Sequence, residues 1–197
     1  MRSSAALLGL LLVPFLAATP ARAGDGVFGV FFDAAGTNCS GTVPVASVAT
    51  LHVVLLPQGS TFAGVMGAEF SVNAAQNSTF LLQSESVEAG ALQIGAALNG
   101  GTSIGFPACH SGGAIAVLTF QAFNLGGAAQ DVELRVGAKS SPSNPFLQCP
   151  VAVLCDDPQF TAICVSGARG ILNPSVEQPC GAGRLSASWQ YVKDMYR

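Results

Sequence analysis

Apolar and polar positions along this chain alternate in short runs. Thr61 to Asn73 places Phe62, Met66, Ala68, Phe70 and Val72 at even positions, with Thr61, Glu69 and Ser71 opposite them. That period of two is the signature of a strand with one buried face. Asp131 to Val136 repeats it, with Asp131, Glu133 and Arg135 outward and Val132, Leu134 and Val136 inward. Ala114 to Phe123 is apolar on both faces, which predicts a central strand. Val27 to Asp33, Ser47 to Leu56, Phe80 to Val87, Thr102 to Phe106, Val151 to Leu154 and Thr161 to Val165 bring the set to roughly nine strands. Clusters such as Ala34-Ala35-Gly36-Thr37-Asn38 and Pro57-Gln58-Gly59-Ser60 separate them, and no helical period occurs before residue 185. The expectation is an all-β chain folded as an antiparallel β-sandwich.

The two ends depart from this pattern. Met1-Arg2, the apolar run Ala5 to Ala18 and the small-x-small triplet Ala21-Arg22-Ala23 read as an export signal cleaved before Gly24. The run holds about 14 apolar residues where a membrane-spanning helix needs about 20. No later run approaches that length. At the other end Ser186 to Arg197 has the period of a short C-terminal helix. Ser188 is placed to cap it, Trp189, Val192 and Tyr196 recur at i, i+3 and i+7, and Lys193 and Arg197 stand four apart. The expected organisation is a signal peptide over 1–23, a β-sandwich over 24–147, disulfide-stapled strands of the same domain over 148–183, and an amphipathic tail over 184–197.

Two strand segments carry a family resemblance. Gly67-Ala68-Glu69-Phe70, and later Gly113-Ala114-Ile115-Ala116-Val117-Leu118-Thr119-Phe120, resemble strands of cohesin-like modules. Those modules belong to the jelly-roll sandwiches shared with some bacterial carbohydrate-binding modules. The resemblance covers residues 25 to 140 and rests mostly on core residues, so it implies a jelly-roll-like fold before it implies a function. No dockerin-contacting or sugar-contacting residue carries over to this chain. The ending, Trp189-Gln190-Tyr191-Val192-Lys193 with Tyr196-Arg197, is similar to the ends of exported bacterial proteins that finish with Trp, a hydrophobe, Lys and an aromatic-Arg pair.

Composition narrows the function classes. Apolar residues make up 50% of the chain and charged ones only 10%, so it can bury a core. Removing the first 23 residues takes Arg2 and Arg22 with it. Six basic residues then face the 11 acidic ones, and the net charge moves from −3 to −5. A charge-poor acidic chain lacks the clustered Lys and Arg that nucleic-acid binding requires.

Cys39, Cys109, Cys149, Cys155, Cys164 and Cys180 are an even set in an exported chain and read as three disulfides. They include no CxxC pair, and only His52 and His110 could join them in a metal site. Sequence leaves the pairing open. The working expectation joins Cys39 to Cys109, Cys155 to Cys164 and Cys149 to Cys180.

Candidate chemistry is sparse. His52 falls inside a strand and reads as a hydrogen-bonded structural residue, while His110 precedes Ser111-Gly112-Gly113 and reads as a turn residue. No nucleophile elbow, HExxH or phosphate-cradling loop is expected. Asp156-Asp157-Pro158 with Asp33 is a candidate calcium set, but Asp before Pro is also ordinary turn chemistry, so the reading is no cofactor. Glu85 and Glu88 read as a solvated edge, and the sequons at Asn38 and Asn77 carry little weight.

Sugar-binding sandwiches stack Trp or Tyr on pyranose faces. Here Trp189, Tyr191 and Tyr196 are the only Trp and Tyr residues, and all lie in the tail. The tail is either a helix docked on its own domain or a recognition segment for sorting or anchoring, built on Trp189, Val192, Lys193, Tyr196 and Arg197. The functional expectation is a non-enzymatic exported module that binds an extracellular or envelope protein, with carbohydrate binding as the alternative.

Overall fold

The computed structural model describes residues 26–58, 62–74, 79–126, 130–155, 159–176 and 180. Among them are no helix and thirteen strands: β1 (Gly26–Phe31), β2 (Ser40–Gly41), β3 (Val48–Pro57), β4 (Val65–Ala74), β5 (Phe80–Ser86), β6 (Leu92–Ala96), β7 (Gly101–His110), β8 (Ile115–Asn124), β9 (Val132–Gly137), β10 (Val151–Leu154), β11 (Ala162–Cys164), β12 (Ser166–Gly167) and β13 (Arg169–Leu172). The first sheet runs β12-β1-β3-β8-β5; the second runs β11-β10-β4-β9-β13-β2, with β7 joined to β4 and β6 to β7. In the second sheet the first half of β4 lies between β10 and β7, while Ser71 to Ala74 pair with β9.

The core fills the space between the sheets. Phe28, Leu51, Leu55 and Phe120 of the first sheet share one cluster with Phe70, Ile104, Leu134 and Ala152 of the second. The Phe28 and Phe70 rings meet across the gap with centroids 5.3 Å apart. Burying each such large side chain contributes about 1.5–3 kcal/mol. A smaller second cluster, Phe31, Cys39 and Val54 with Leu56, Ala114 and Cys180 packed on it, lies outside the main core.

Several expectations hold. Along Asp131 and β9, Val132, Leu134 and Val136 are buried and Asp131 and Arg135 exposed. The doubly apolar β8 is flanked by β3 and β5. Others need correction. Among the described residues there are thirteen strands rather than about nine, because β2 and β12 have two residues each and β6 and β13 are short and carry glycine, too little for a period to register. Pairing is not wholly antiparallel, since β1 with β12 and β13 with β2 run parallel. Glu69 and Ser71 were expected on a solvent face and are buried. His110 ends β7 and is not a turn residue. The export signal, the tail helix and the Asp156-Asp157-Pro158 cluster lie outside the described residues.

All six cysteines are paired, but not as expected: the bridges are Cys39–Cys180, Cys109–Cys155 and Cys149–Cys164. Sheet register explains the difference. Val151 pairs with Cys164, which brings Cys149 beside it across the β10–β11 hairpin. Val65 of β4 lies between His110 and Leu154, so Cys109 and Cys155 approach each other over the start of β4. Gly64 makes that crossing possible. Its φ is +130°, and a Cβ there would lie 2.7 Å from Cys109 Sγ and 2.6 Å from the His110 carbonyl oxygen. The stapled C-terminal stretch is also packed, with Val151, Ala152, Val165, Ile171 and Leu172 buried.

Candidate interaction face

Directly opposed residues in antiparallel strands share a face, so the registers of β10, β4, β7 and β6 define the outer surface of the second sheet. One row reads Val151, Glu69, Ser103, Ile94, and the next reads Val153, Gly67, Gly105, Leu92. This face has a covered half and an open half.

Over β4 the chain after β9 forms the cover. Ser71 Oγ donates to the Ala138 carbonyl at 2.8 Å. Glu69 accepts from Ser103 Oγ at 2.6 Å, from the Ser143 amide at 2.9 Å and from Ser143 Oγ. Lys139 Nζ donates to Ser103 Oγ at 2.8 Å and stands 3.6 Å from Glu69 Oε2. Burial pushes the Glu69 carboxyl up, but the hydrogen bonds from Ser103 and Ser143 and the Lys139 charge outweigh it and hold the group below its ordinary value. Three residues beyond Ser143, the Asn144–Leu147 turn presents Phe146, whose amide donates to Asn144 Oδ1 at 3.0 Å.

Beyond Ser103 the face opens. Leu92 and Ile94 are 65% and 60% exposed on an edge strand paired only with β7 among the described strands. Beside Leu92, a Cβ on Gly105 would meet nothing within 4 Å. Phe146 is 91% exposed. The strand is held firmly despite its edge position. A bulge in β5 with Ser84 at φ 59° turns Glu85 toward the β6–β7 turn, where it accepts from the Ala97 and Leu98 amides at 2.9 and 2.7 Å and from Gln93 Nε2 at 2.9 Å. Glu88 meets His110 Nε2 at 2.7 Å, and the His110 ring packs edge-on against Phe106. Glu85 and Glu88 thus do separate jobs, each tying the first sheet's edge to the second sheet.

The remaining candidates are structural in character. His52 Nδ1 lies 3.2 Å from Thr119 Oγ1 within the first sheet. Asp33 accepts from the Thr37 and Asn38 amides and from Thr37 Oγ1, which keeps its carboxyl below the ordinary value despite slight burial. No group of three or more His, Cys, Asp or Glu able to hold a metal occurs among the described residues. Glu133 joins Arg135 and Arg169 on the surface of β9 and β13.

The letters Gly-x-Ser-x-Gly do stand in the chain, at Gly101-Thr102-Ser103-Ile104-Gly105, against the expectation of no nucleophile elbow. They lie in extended β7, not on a strand-to-helix turn. Ser103 Oγ donates its hydrogen bond to the Glu69 carboxylate, and Lys139 beside it is paired with that carboxylate. This arrangement fastens a loop. The polar cluster under that loop is what sequence reading missed. Its signal was the pairing of a charged and a small polar residue at alternate positions, Glu69 and Ser71, in the middle of a mostly apolar strand.

Fold and site together define a disulfide-stapled β-sandwich that exposes an aliphatic edge face. Cohesin modules align with most of this chain at low identity. The cohesin module of a family 33 glycoside hydrolase from Clostridium perfringens aligns over 77% of this chain and 98% of its own at 9% identity and TM-score 0.48. The sixth cohesin of Acetivibrio cellulolyticus scaffoldin B, solved in complex with a Cel5 dockerin, aligns over 76% and 99% at 13% identity and TM-score 0.47. A non-cellulosomal cohesin from Archaeoglobus fulgidus aligns over 85% and 98% at 7% identity and TM-score 0.41. No family model matches the chain, and no curated protein matches it.

Proposed function

We propose that this chain is an exported, non-enzymatic protein-interaction module that binds its partner through the outer face of β6 and β7. One observation carries the reading: Leu92 and Ile94 stand side by side in solvent on a rigidly braced edge strand, with the uncovered Gly105 beside them. An aliphatic pair held in water at fixed spacing favours a complementary apolar stripe on another protein. Three disulfides fit an oxidising compartment, in line with the export signal read from the N-terminus.

The carbohydrate alternative has less behind it. An open depression of about 210 Å³ at the β5–β8 bulge is lined by Ser86, Val87, Glu88 and Ala116 to Thr119, with no aromatic ring on which a sugar could stack.

The test compares the parent protein with Leu92→Lys/Ile94→Lys as baits against the envelope and culture fluid of the producing cell, with a glycan array alongside. The reading expects a protein captured by the parent and lost by the double variant while the fold is retained. A glycan hit insensitive to the double variant, with no such protein, would overturn it.

A further inference from the structure

The outer face of the first sheet, on the opposite side of the sandwich from β6, divides into three zones. At one end Val54 and Leu56, with Phe31 beside His52 in the adjoining row, pack against the Cys39–Cys180 bridge. The middle is polar, with His52, Thr119 and Ser86 in one row and Thr50, Gln121 and Gln83 in the next. At the far end Val48, Phe123 and Leu81 form an apolar row across β3, β8 and β5. Val48 is 51% and Leu81 45% exposed, and Val45 and Leu125 beside them are exposed as well.

We propose that this far row is the seat of the chain's own C-terminal segment, Trp189 to Arg197. Four observations converge on that occupant. The first is the tether: residue 180, from which the segment follows, is bonded to Cys39 on this same face. The second is reach. Val54, beside the bridge, is six residues from Val48 along β3, about 20 Å. The nine residues from Cys180 to Trp189 span up to about 30 Å when extended.

The third observation is complementarity. The row crosses three strands and is about 10 Å long. Trp189, Val192 and Tyr196 at helical spacing cover about 10 Å at 1.5 Å per residue, and they include the only Trp in the chain. The fourth is polar provision: the neighbouring row of Thr50, Gln121 and Gln83 offers acceptors to a Trp N–H and a Tyr O–H. The β6 face has no comparable claim on the segment, because it belongs to the other sheet and points away from Cys180.

Trp189 is the only tryptophan, so its fluorescence reports the seat directly. In the full exported chain its emission should lie to the blue of the urea-unfolded protein and resist acrylamide quenching. Val48→Ser/Leu81→Ser should move the emission to the red and raise quenching to the unfolded level. Ile94→Ser on the other face should leave both unchanged. If the double variant fails to melt cooperatively, Leu81→Arg alone gives the same readout. The proposal is overturned if Trp189 of the parent is as quenchable as in the unfolded chain. It is also overturned if protection survives the substitutions, or if it disappears on dilution, which would make the occupant a second copy.

Discussion

Replacing Glu69 by Gln removes one charge from the fastening that closes the chain over β4. Glutamine keeps the shape and can still accept from the Ser143 amide, which Glu69 receives at 2.9 Å. The change leaves the partly buried ammonium of Lys139, now 3.6 Å from a neutral amide, without its counter-charge. It also turns an N–H2 group toward hydroxyls that had been donating. Breaking a buried pair from one side costs about 3–5 kcal/mol, and the retained hydrogen bonds put this case at the low end, about 3 kcal/mol. For a domain of this size that lowers Tm by about 6–12 °C.

The pH dependence follows from the sign of the shift. The folded carboxyl lies below the ordinary glutamate value of 4.5, so its stabilisation is fully present above pH 4.5 and is lost as pH falls through the folded value. The gap between parent and variant should therefore be widest near neutrality and close in acid. Urea titrations followed by circular dichroism across that range, with the disulfides intact, measure it. Adding Lys139→Met to Glu69→Gln should recover at least about 1 kcal/mol, because the unpaired charge is gone. A Glu69→Gln variant within about 0.5 kcal/mol of the parent at pH 7 would refute the reasoning.

Peptide mapping without reduction should return Cys39–Cys180, Cys109–Cys155 and Cys149–Cys164, and any other connectivity contradicts the register argument. Those bridges close separations of 141, 46 and 15 residues; in the chain-entropy account, replacing the first pair by Ala should cost about 5 kcal/mol and the last about 3, as denaturant midpoints would show. Glu85→Gln should weaken the β6–β7 turn by about 1–3 kcal/mol locally, seen as faster hydrogen exchange at the Ala97 and Leu98 amides with little change elsewhere. Glu133→Gln, by contrast, breaks surface pairs with Arg135 and Arg169 and should cost under about 1 kcal/mol in the same titrations.

The parts of this fold legible in the sequence are those where one strand contains its own evidence. β9 shows its buried and exposed faces residue by residue, and the two apolar faces of β8 announce a central strand. What stayed hidden depends on partners remote in sequence. Glu69 reads as solvent-facing until Lys139 and Ser143 are known to lie over it, and the true bridge partners are set by strand register rather than by nearness along the chain. The open face was hidden for another reason. Leu92–Ala96 is five residues with a glycine inside, too short for a period to register, and its apolar Leu92 and Ile94 are the side in water.

The central claim, that the β6–β7 outer face docks a protein, is tested most directly by hydrogen–deuterium exchange on the complex with the protein captured by the parent bait. The account predicts new protection concentrated in Leu92–Ala96 and the Gly101–Gly105 half of β7, absent when Leu92→Lys/Ile94→Lys is mixed with the same protein. Protection confined to the first sheet or to the β5–β8 depression, with β6 exchanging as in the free chain, would contradict it.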